Sequence, residues 1–565
     1  MFHFKKITKI FFRNTKWLEK KQSSILSAAL IITTANILSS LSGLVRERFL
    51  ISAFFNTEAS RMAYEALQVA FQIPDMLFQL IVIGALSAAF IPIFTKYKAK
   101  DEQEAFKISS SVINILLLVF SLVSVVVFIF SEPITVARTG NAFTAEQIRI
   151  ATNLTRLMLF AQFFFAISNF LTGILQSYQR FIVPAIAPIL YNFGIILGVF
   201  LFKGQFGIYA AGLGVILGAF LHMLIQLPFV FRLGFKFQFR FNFKHPGIKE
   251  IFSLIPPRVM TIGISELKNL ALGFFATSIG NLSFVVIRLA LKLMAIPVRL
   301  FGVPISQASL PFLSEETSLS QIKRFKGLVT QSINQIAFLA MPAGVLLLIL
   351  RIPIVRLVFG AQNFPWQATV MTSRVLAIIA ISISLQAMSQ LLIRAFYALE
   401  DTVTPFIITA ISTVIYLLMS WLLVFVLKTS IIGVAWATTV TAILETVLFF
   451  IFLEKKAKNL FFNREFIIVQ LKILCCSFLM AVFLYLPFRI FDELIFDTSK
   501  TIELIALTVV TTTIGLLVYV YFSVLLDVKE LKMFTFLLKR FNKGQKLLSK
   551  SKEVWIDTGS DGEEI

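Results

Sequence analysis

Long apolar runs follow one another along almost the whole sequence, separated only by short polar stretches. An α-helix crossing the hydrocarbon core needs about 20 predominantly apolar residues. In lipid it must also satisfy its own backbone hydrogen bonds, which favours helices over open sheets. Runs of that length lie near 23–45, 63–93, 107–131, 147–175, 181–202, 207–231, 251–279, 282–313, 327–350, 368–397, 404–427, 431–453, 466–490 and 501–526. The sequence therefore predicts an all-α polytopic membrane protein with about 14 transmembrane helices. Composition agrees, with 58% apolar and 15% charged residues, against about 45–50% and 25% in soluble domains. The loops are too short to hold a soluble catalytic domain.

Charge and rare residues narrow the function. Lys and Arg number 52 against 30 Asp and Glu, a net charge of +22. In a polytopic chain this excess reads as the positive-inside pattern and as attraction to anionic lipid headgroups, not as a nucleic-acid footprint. One set of alternate loops carries Lys96, Lys98 and Lys100, then Arg232, Lys236, Arg240, Lys244 and Lys249, then Lys323, Arg324 and Lys326, then Lys455, Lys456, Lys458 and Arg464. The other set is sparse, with Arg138, Lys203, Lys428 and an acidic stretch at Asp492, Glu493 and Asp497. Residues 1–22 share the basic side, and the apolar run after them is too long for a cleaved signal peptide. Both termini are therefore expected in the cytoplasm. The adjacent Cys475 and Cys476 support no disulfide framework, and His3, His222 and His245 are too scattered for a His-based metal site or triad.

Three motif pairs recur in the same order about 220 residues apart. Pro92, Phe106-Lys107 and Ile113-Asn114 correspond to Pro311, Phe325-Lys326 and Ile333-Asn334. Ser177-Tyr178 with Pro184 corresponds to Phe396-Tyr397 with Pro405. Gly207-Ile208 with Ala210-Ala211 corresponds to Gly433-Val434 with Ala435 and Ala437. The pattern predicts two six-helix lobes in parallel repeat plus two C-terminal helices, with substrate between the lobes near the midplane. The expected division is a basic N-terminus 1–22, an N-lobe 23–232, a basic interfacial linker 233–250, a C-lobe 251–455, two further spans within 466–526, and a basic then acidic tail 527–565. Within the linker, Phe231 to Phe243 alternates aromatic with basic or polar residues, as expected of an interfacial segment with rings at headgroup level.

Ionisable groups at membrane depth cost about 2.5–3.5 kcal/mol each on insertion scales, so they mark cavities or pairs. Arg46, Glu47, Arg48 and Glu65 lie in the first two runs, and Arg258, Glu266, Lys268, Arg288, Lys292 and Arg299 in the seventh and eighth. Arg156, Arg374, Arg394, Glu445 and Lys472 are further cases. Arg288, Lys292 and Arg299 fall on one face of an ideal helix. The cation excess predicts an anionic substrate, and Arg and Lys together suit phosphate. Pro74, Pro92, Pro184, Pro188, Pro256-Pro257, Pro297, Pro304 and Pro342 interrupt the runs, as in helices that kink or unwind.

At these residues a family resemblance appears. Gly43-Leu-Val-Arg46-Glu47, Glu65 through Pro74-Asp75, Gly84-Ala-Leu-Ser87 through Pro92, Leu310-Pro311-Phe-Leu-Ser314, and Arg394-Ala-Phe-Tyr through Asp401-Thr-Val-Thr-Pro405 resemble MurJ-type (MviN-type) lipid II flippases of the multidrug/oligosaccharidyl-lipid/polysaccharide exporter superfamily. The resemblance covers roughly residues 25–455. It implies two six-helix lobes with two extra helices, in the bacterial cytoplasmic membrane. It further implies transport of undecaprenyl-diphosphate-linked disaccharide-peptide from the inner to the outer leaflet by alternating access, without enzymatic chemistry or a bound cofactor. A monovalent cation or the membrane potential would drive it, and a monomer is expected.

Carried over by position, Arg46, Glu47, Glu65 and Lys292 fall on the family's substrate-binding positions, and Arg288 and Lys268 are added as cations that compensate for losses. Those losses are Ser40, Phe78, Ile83 and Ala295, which stand where the family carries charge. Glu266 and Asp401 are the carboxylates expected to couple an ion. Two other readings fit the same residues: a flippase for another polyprenyl-linked glycan, and a non-transporting scaffold of envelope synthesis.

Overall fold

The computed structural model describes residues 25–531 except 84–89, 281, 316–321, 361–363, 459 and 499. The basic stretch 1–22, Ser87, the tail from 532 onward and the side chain of Arg258 lie outside the described residues. The described chain is helical: α1 Ile25–Phe54, α2 Glu58–Ala70, α3 Gln72–Phe78, α4 Ile91–Lys98, α5 Glu102–Ile129, α6 Ser131–Arg138, α7 Ala145–Ser177, α8 Ile182–Phe206, α9 Tyr209–Leu224 and α10 Leu227–Phe231. These are followed by α11 Pro246–Ile279, α12 Ser283–Pro297, α13 Val303–Glu315, α14 Ile322–Ile349, α15 Arg351–Phe359, α16 Trp366–Ala380 and α17 Ile383–Ala398. The last four are α18 Val403–Trp421, α19 Ile431–Lys456, α20 Arg464–Ile490 and α21 Thr501–Leu525.

Among the described residues, ten helices are long and apolar enough to cross a membrane, and α16 with α17, bent by 48°, makes an eleventh. The remaining three apolar runs are helical too. They are α1 with its Arg-Glu-Arg triplet, α2 with α3, and α12 with α13. Each of the three carries charge within or beside its apolar run: Arg46, Glu47 and Arg48 on α1, Glu65 and Asp75 on α2 and α3, and Arg288 and Lys292 on α12.

Two of these breaks have a local cause. Pro74 has no N–H to give Ala70, and its ring crowds that carbonyl, so the helix breaks at Phe71. The backbone oxygens at the break find other donors. Arg138 Nη2 donates to Val69 O at 2.6 Å and Thr155 Oγ1 to Ala70 O at 3.4 Å. Arg138, expected in a sparse outer loop, is therefore buried and holds α6 against this break. Pro297 ends α12, and the chain continues through a π-helical turn, Val298–Gly302. Arg299 lies in that turn and is exposed, and it does not line the cavity that Arg288 and Lys292 reach. Pro188 and Pro342 sit inside continuous helices.

In the N-terminal half α9 packs against both α7 and α8, with α1 against α8 and α2 against α7. The α8–α9 contact is very close. A Cβ on Gly194 would lie 2.4 Å from the Gly218 Cα, and one on Gly198 would lie 2.3 Å from the Gly214 Cα. Each helix thus offers two glycines four residues apart, which is how small residues let membrane helices approach. In the C-terminal half α14 packs on α17, α12 on α16, and α19 on α17 and α18. Helices α20 and α21 pair with each other and lean on α14.

The repeat extends to the backbone and to the polar contacts. Gln179 and Glu400 both take positive φ just past α7 and α17, and Gly207 and Lys428 do so at an equal separation. Phe106 and Phe325 are both core residues. Asn114 donates to the carbonyls of Gln238 and Arg240 in the linker, and Asn334 accepts from Gln470 on α20. Each asparagine thus holds the segment that follows its own half. The linker is shorter than the sequence suggests, because His245 caps α11 and the helix already begins at Pro246.

Polar contacts joining the halves gather away from the basic loops. Arg48 donates to Leu357 O, Phe284 N to Glu65 Oε1 at 3.3 Å, and Gly140 N to Thr277 Oγ1 at 2.9 Å. Around them Leu50, Phe55 and Tyr64 share one apolar core with Phe284, Ile287 and Val355. At the basic end Lys96 pairs with Glu250 at 3.0 Å and His245 with Glu104 at 3.1 Å.

Candidate functional site

A cavity of about 290 Å³ opens between the halves, lined by α1, α2, α3, α7, α8 and α12. Five charged side chains reach it: Arg46 and Glu47 from α1, Asp75 from α3, and Arg288 and Lys292 from α12. Arg288 and Lys292, one turn apart, share the cavity face as helical spacing requires. Gln68, Gln79, Gln162 and Tyr191 add neutral polar groups. Phe78, where the family carries charge, gives the wall a ring instead.

The centre of the arrangement is Glu47, a fully buried carboxylate. Lys292 Nζ, from the other half, lies 2.7 Å from its Oε1. The Tyr64 hydroxyl also donates to Oε1, as does Gln68 Nε2 at 3.0 Å. Arg46 Nη2 lies 3.4 Å from Oε2. Arg46 is further aimed by Asn192, whose Oδ1 accepts from Nη1 at 3.0 Å while its Nδ2 donates to Ser42 Oγ at 2.8 Å. A buried charge is tolerable only when paired and hydrogen-bonded, and Glu47 meets both conditions. Lys292 is also tied to Gln68 Oε1 at 3.3 Å. Arg288 differs from the other cations. It makes no ion pair within 4.0 Å among the described residues, stands over the Phe284 ring 5.9 Å from its centroid, and, like Arg46, has an Nε without a hydrogen-bond partner. Three cations thus face two carboxylates, and the Arg288 guanidinium is in no ion pair among the described residues.

The expected site residues separate into three groups. Arg46, Glu47, Arg288 and Lys292 come together in this cavity. Glu65 does not line it. Its carboxylate is buried, accepting from the Phe284 amide and from Gln147 Nε2 at 3.1 Å, so it fastens the first turn of α12 to α2 and α7. Lys268 lies in a separate cavity of the C-terminal half, opposite Glu445. Glu266 is half-buried on α11 and accepts from Asn269 Nδ2 at 3.4 Å. Asp401 lies outside both cavities. Its Oδ1 caps α18 by accepting from the amides of Val403 and Thr404, and its Oδ2 pairs with Lys456. Sequence reasoning did not single out Gln68, Tyr64, Asn192 or Asp75 as site residues. Asp75 follows Pro74 at the helix break, and that proximity was the available signal.

Comparison with known proteins identifies the family and the fold. The family model described as "Lipid II flippase MurJ" matches residues 53–505. A probable lipid II flippase MurJ of Thermotoga maritima is 27% identical over 519 residues, 90% of this chain and 98% of that protein. The probable lipid II flippase MurJ of Treponema pallidum is 27% identical over 447 residues, 77% of this chain and 83% of its own length. Among solved structures, a lipid II flippase MurJ in an inward closed conformation superposes with a TM-score of 0.70 at 22% identity, covering 87% of this chain and 98% of that one. An inward-facing MATE multidrug transporter follows the same fold at a TM-score of 0.63 and 15% identity, over 76% of this chain and 98% of its own. With its many apolar spans and a family match over most of its length, this multi-pass membrane chain belongs to the lipid II flippase MurJ family, a family of transporters.

Proposed function

We propose that the chain moves lipid II, the undecaprenyl-diphosphate-linked disaccharide-peptide, from the inner to the outer leaflet of the bacterial cytoplasmic membrane by alternating access. The observation that carries this reading is the cavity to which one half gives Arg46 and the other Arg288 and Lys292. A diphosphate offers the paired oxygens that a guanidinium fork fits and that an ammonium attracts as a point charge. Arg288, which gives up no ion pair, is the first to engage it. Lys292 then exchanges its bond to Glu47 for one to phosphate, which removes a tie between the halves. The cross-half contacts around Arg48 and Glu65 are next to yield, and the cavity opens on the far side.

The lipid tail stays in the bilayer beside α20 and α21 throughout. Both termini lie in the cytoplasm, anionic lipids surround the basic loops, and the monomer suffices. The membrane potential or a monovalent cation drives the cycle. Glu266, within electrostatic reach of Asp75 and Arg288, is the carboxylate assigned to coupling, whereas both oxygens of Asp401 are already committed.

Complementation tests the reading. Bacteria depleted of their own lipid II flippase should grow when they express this chain, and should lyse when they express R288A or K292A at equal membrane levels. Full growth on both variants would refute it.

A further inference from the structure

The C-terminal half holds a second cavity of about 370 Å³, between α11, α12, α17, α18 and α19. Its chemistry is unlike that of the first. One ammonium and one carboxylate face it, Lys268 at 22% and Glu445 at 20% exposure, with Nζ and Oε2 3.7 Å apart. That separation exceeds a hydrogen bond, and charge-assisted bonds ordinarily close to about 2.7–2.9 Å. Each partner is held in place by other groups. Glu445 accepts from Thr409 Oγ1 at 3.0 Å and Ser412 Oγ at 3.1 Å, while Lys268 stands over the Tyr416 ring, 5.5 Å from its centroid. The rest of the polar lining is neutral and includes Gln386 and Gln390.

We propose that this cavity is a second ligand subsite, for a zwitterionic peptide end carrying a free amine and a free carboxylate. The amine lies against Glu445, the carboxylate against Lys268, and the glutamine amides meet the peptide groups between them. A polar cavity with one charge of each sign does not favour a polyanion, so it complements the first cavity and does not duplicate it. Its volume stands at the low end of small-molecule pockets, about 300–1,000 Å³, which suits the end of a peptide better than a whole headgroup. The two cavities adjoin, because Lys292 lines one and its neighbour Leu291 the other. The inference rests on the lipid II reading, under which the transported headgroup carries a peptide.

The full-length protein in nanodiscs tests this with Ala-Lys-Ala, the same peptide acetylated on both amines, and its C-terminal amide, each followed by saturation-transfer NMR. Wild type should bind Ala-Lys-Ala at least tenfold more tightly than either blocked peptide, and K268M and E445Q should erase the difference. The charge swap K268E/E445K controls for folding: it keeps one charge of each sign between α11 and α19, and the free peptide, seated end for end, should regain the preference that K268M and E445Q lose. Equal binding of the three peptides, or an undiminished preference in K268M and E445Q, would overturn the subsite. R288A, in the other cavity, should keep the peptide preference while losing transport. Transport without any peptide preference in wild type removes this inference alone, whereas transport by R288A and K292A removes the lipid II reading.

Discussion

Replacing Lys292 by Met removes the ammonium that lies 2.7 Å from the buried Glu47 carboxylate while keeping an unbranched chain of similar reach. Stranding one member of a buried ion pair costs about 3–5 kcal/mol. Glu47 would still have the Tyr64 hydroxyl, Gln68 at 3.0 Å and Arg46 at 3.4 Å, so the loss should fall at the lower end, about 3 kcal/mol. Adding Glu47→Gln removes the stranded charge. The double variant should then be more stable than the two single losses predict, by about 1–2 kcal/mol, within the usual coupling range of contacting residues. Equilibrium unfolding in mixed micelles, run as a double-mutant cycle, measures this coupling. Stability and function should separate: the double variant regains part of the stability but, lacking the ammonium, does not transport. Additivity within about 0.5 kcal/mol would refute the pairing of Glu47 with Lys292 in the resting protein.

Two further outcomes follow from the fold. Gly198→Val places a side chain where even a Cβ would be 2.3 Å from Gly214. It should separate α8 from α9 at a cost of about 1–3 kcal/mol, lowering the monodisperse fraction in size-exclusion chromatography, while Gly204→Val, with nothing within 4 Å, should not. Asp401 gives the second. Partial burial pushes its carboxyl upward, but the Lys456 and Thr404 hydrogen bonds outweigh burial and hold it at about 2, below the ordinary 3.8. A pKa depressed on folding contributes stability that is fully present above about pH 4 and is lost as pH falls toward 2. Thermal unfolding of wild type should therefore weaken across that window, and D401N, which can still cap α18, should lack this part of the pH dependence.

The apolar runs were legible because a membrane span is a length-and-composition signal, and each of the fourteen falls on helix within the described residues. The repeat was legible at Phe106 and Phe325 and at Asn114 and Asn334, though the use each asparagine makes of its amide was not. What the sequence hides is which charges meet. Lys292 and Glu47 come from opposite halves, and nothing in local spacing pairs them. Lys268 looked like a member of the same cationic cluster because it lies on a neighbouring span, but α12 stands between the two cavities. Glu65 read as a site residue, yet its oxygens satisfy a helix amide and a glutamine. Asp401 followed by Thr-Val-Thr-Pro carries a helix-cap pattern, and the structure uses it as one. Arg299 follows Arg288 and Lys292 at helical spacing, but it lies beyond Pro297 in the π turn and is exposed, outside the cavity.

The leaflet in which lipid II resides tests the central claim most directly. Cells depleted of their own flippase and expressing this chain can be treated with an externally added enzyme that cleaves only outer-leaflet lipid II. Cleavage is expected with the wild-type chain and should be lost with R288A and with K292A at equal expression. Cleavage absent with a well-inserted wild-type chain, or undiminished in both variants, would contradict it.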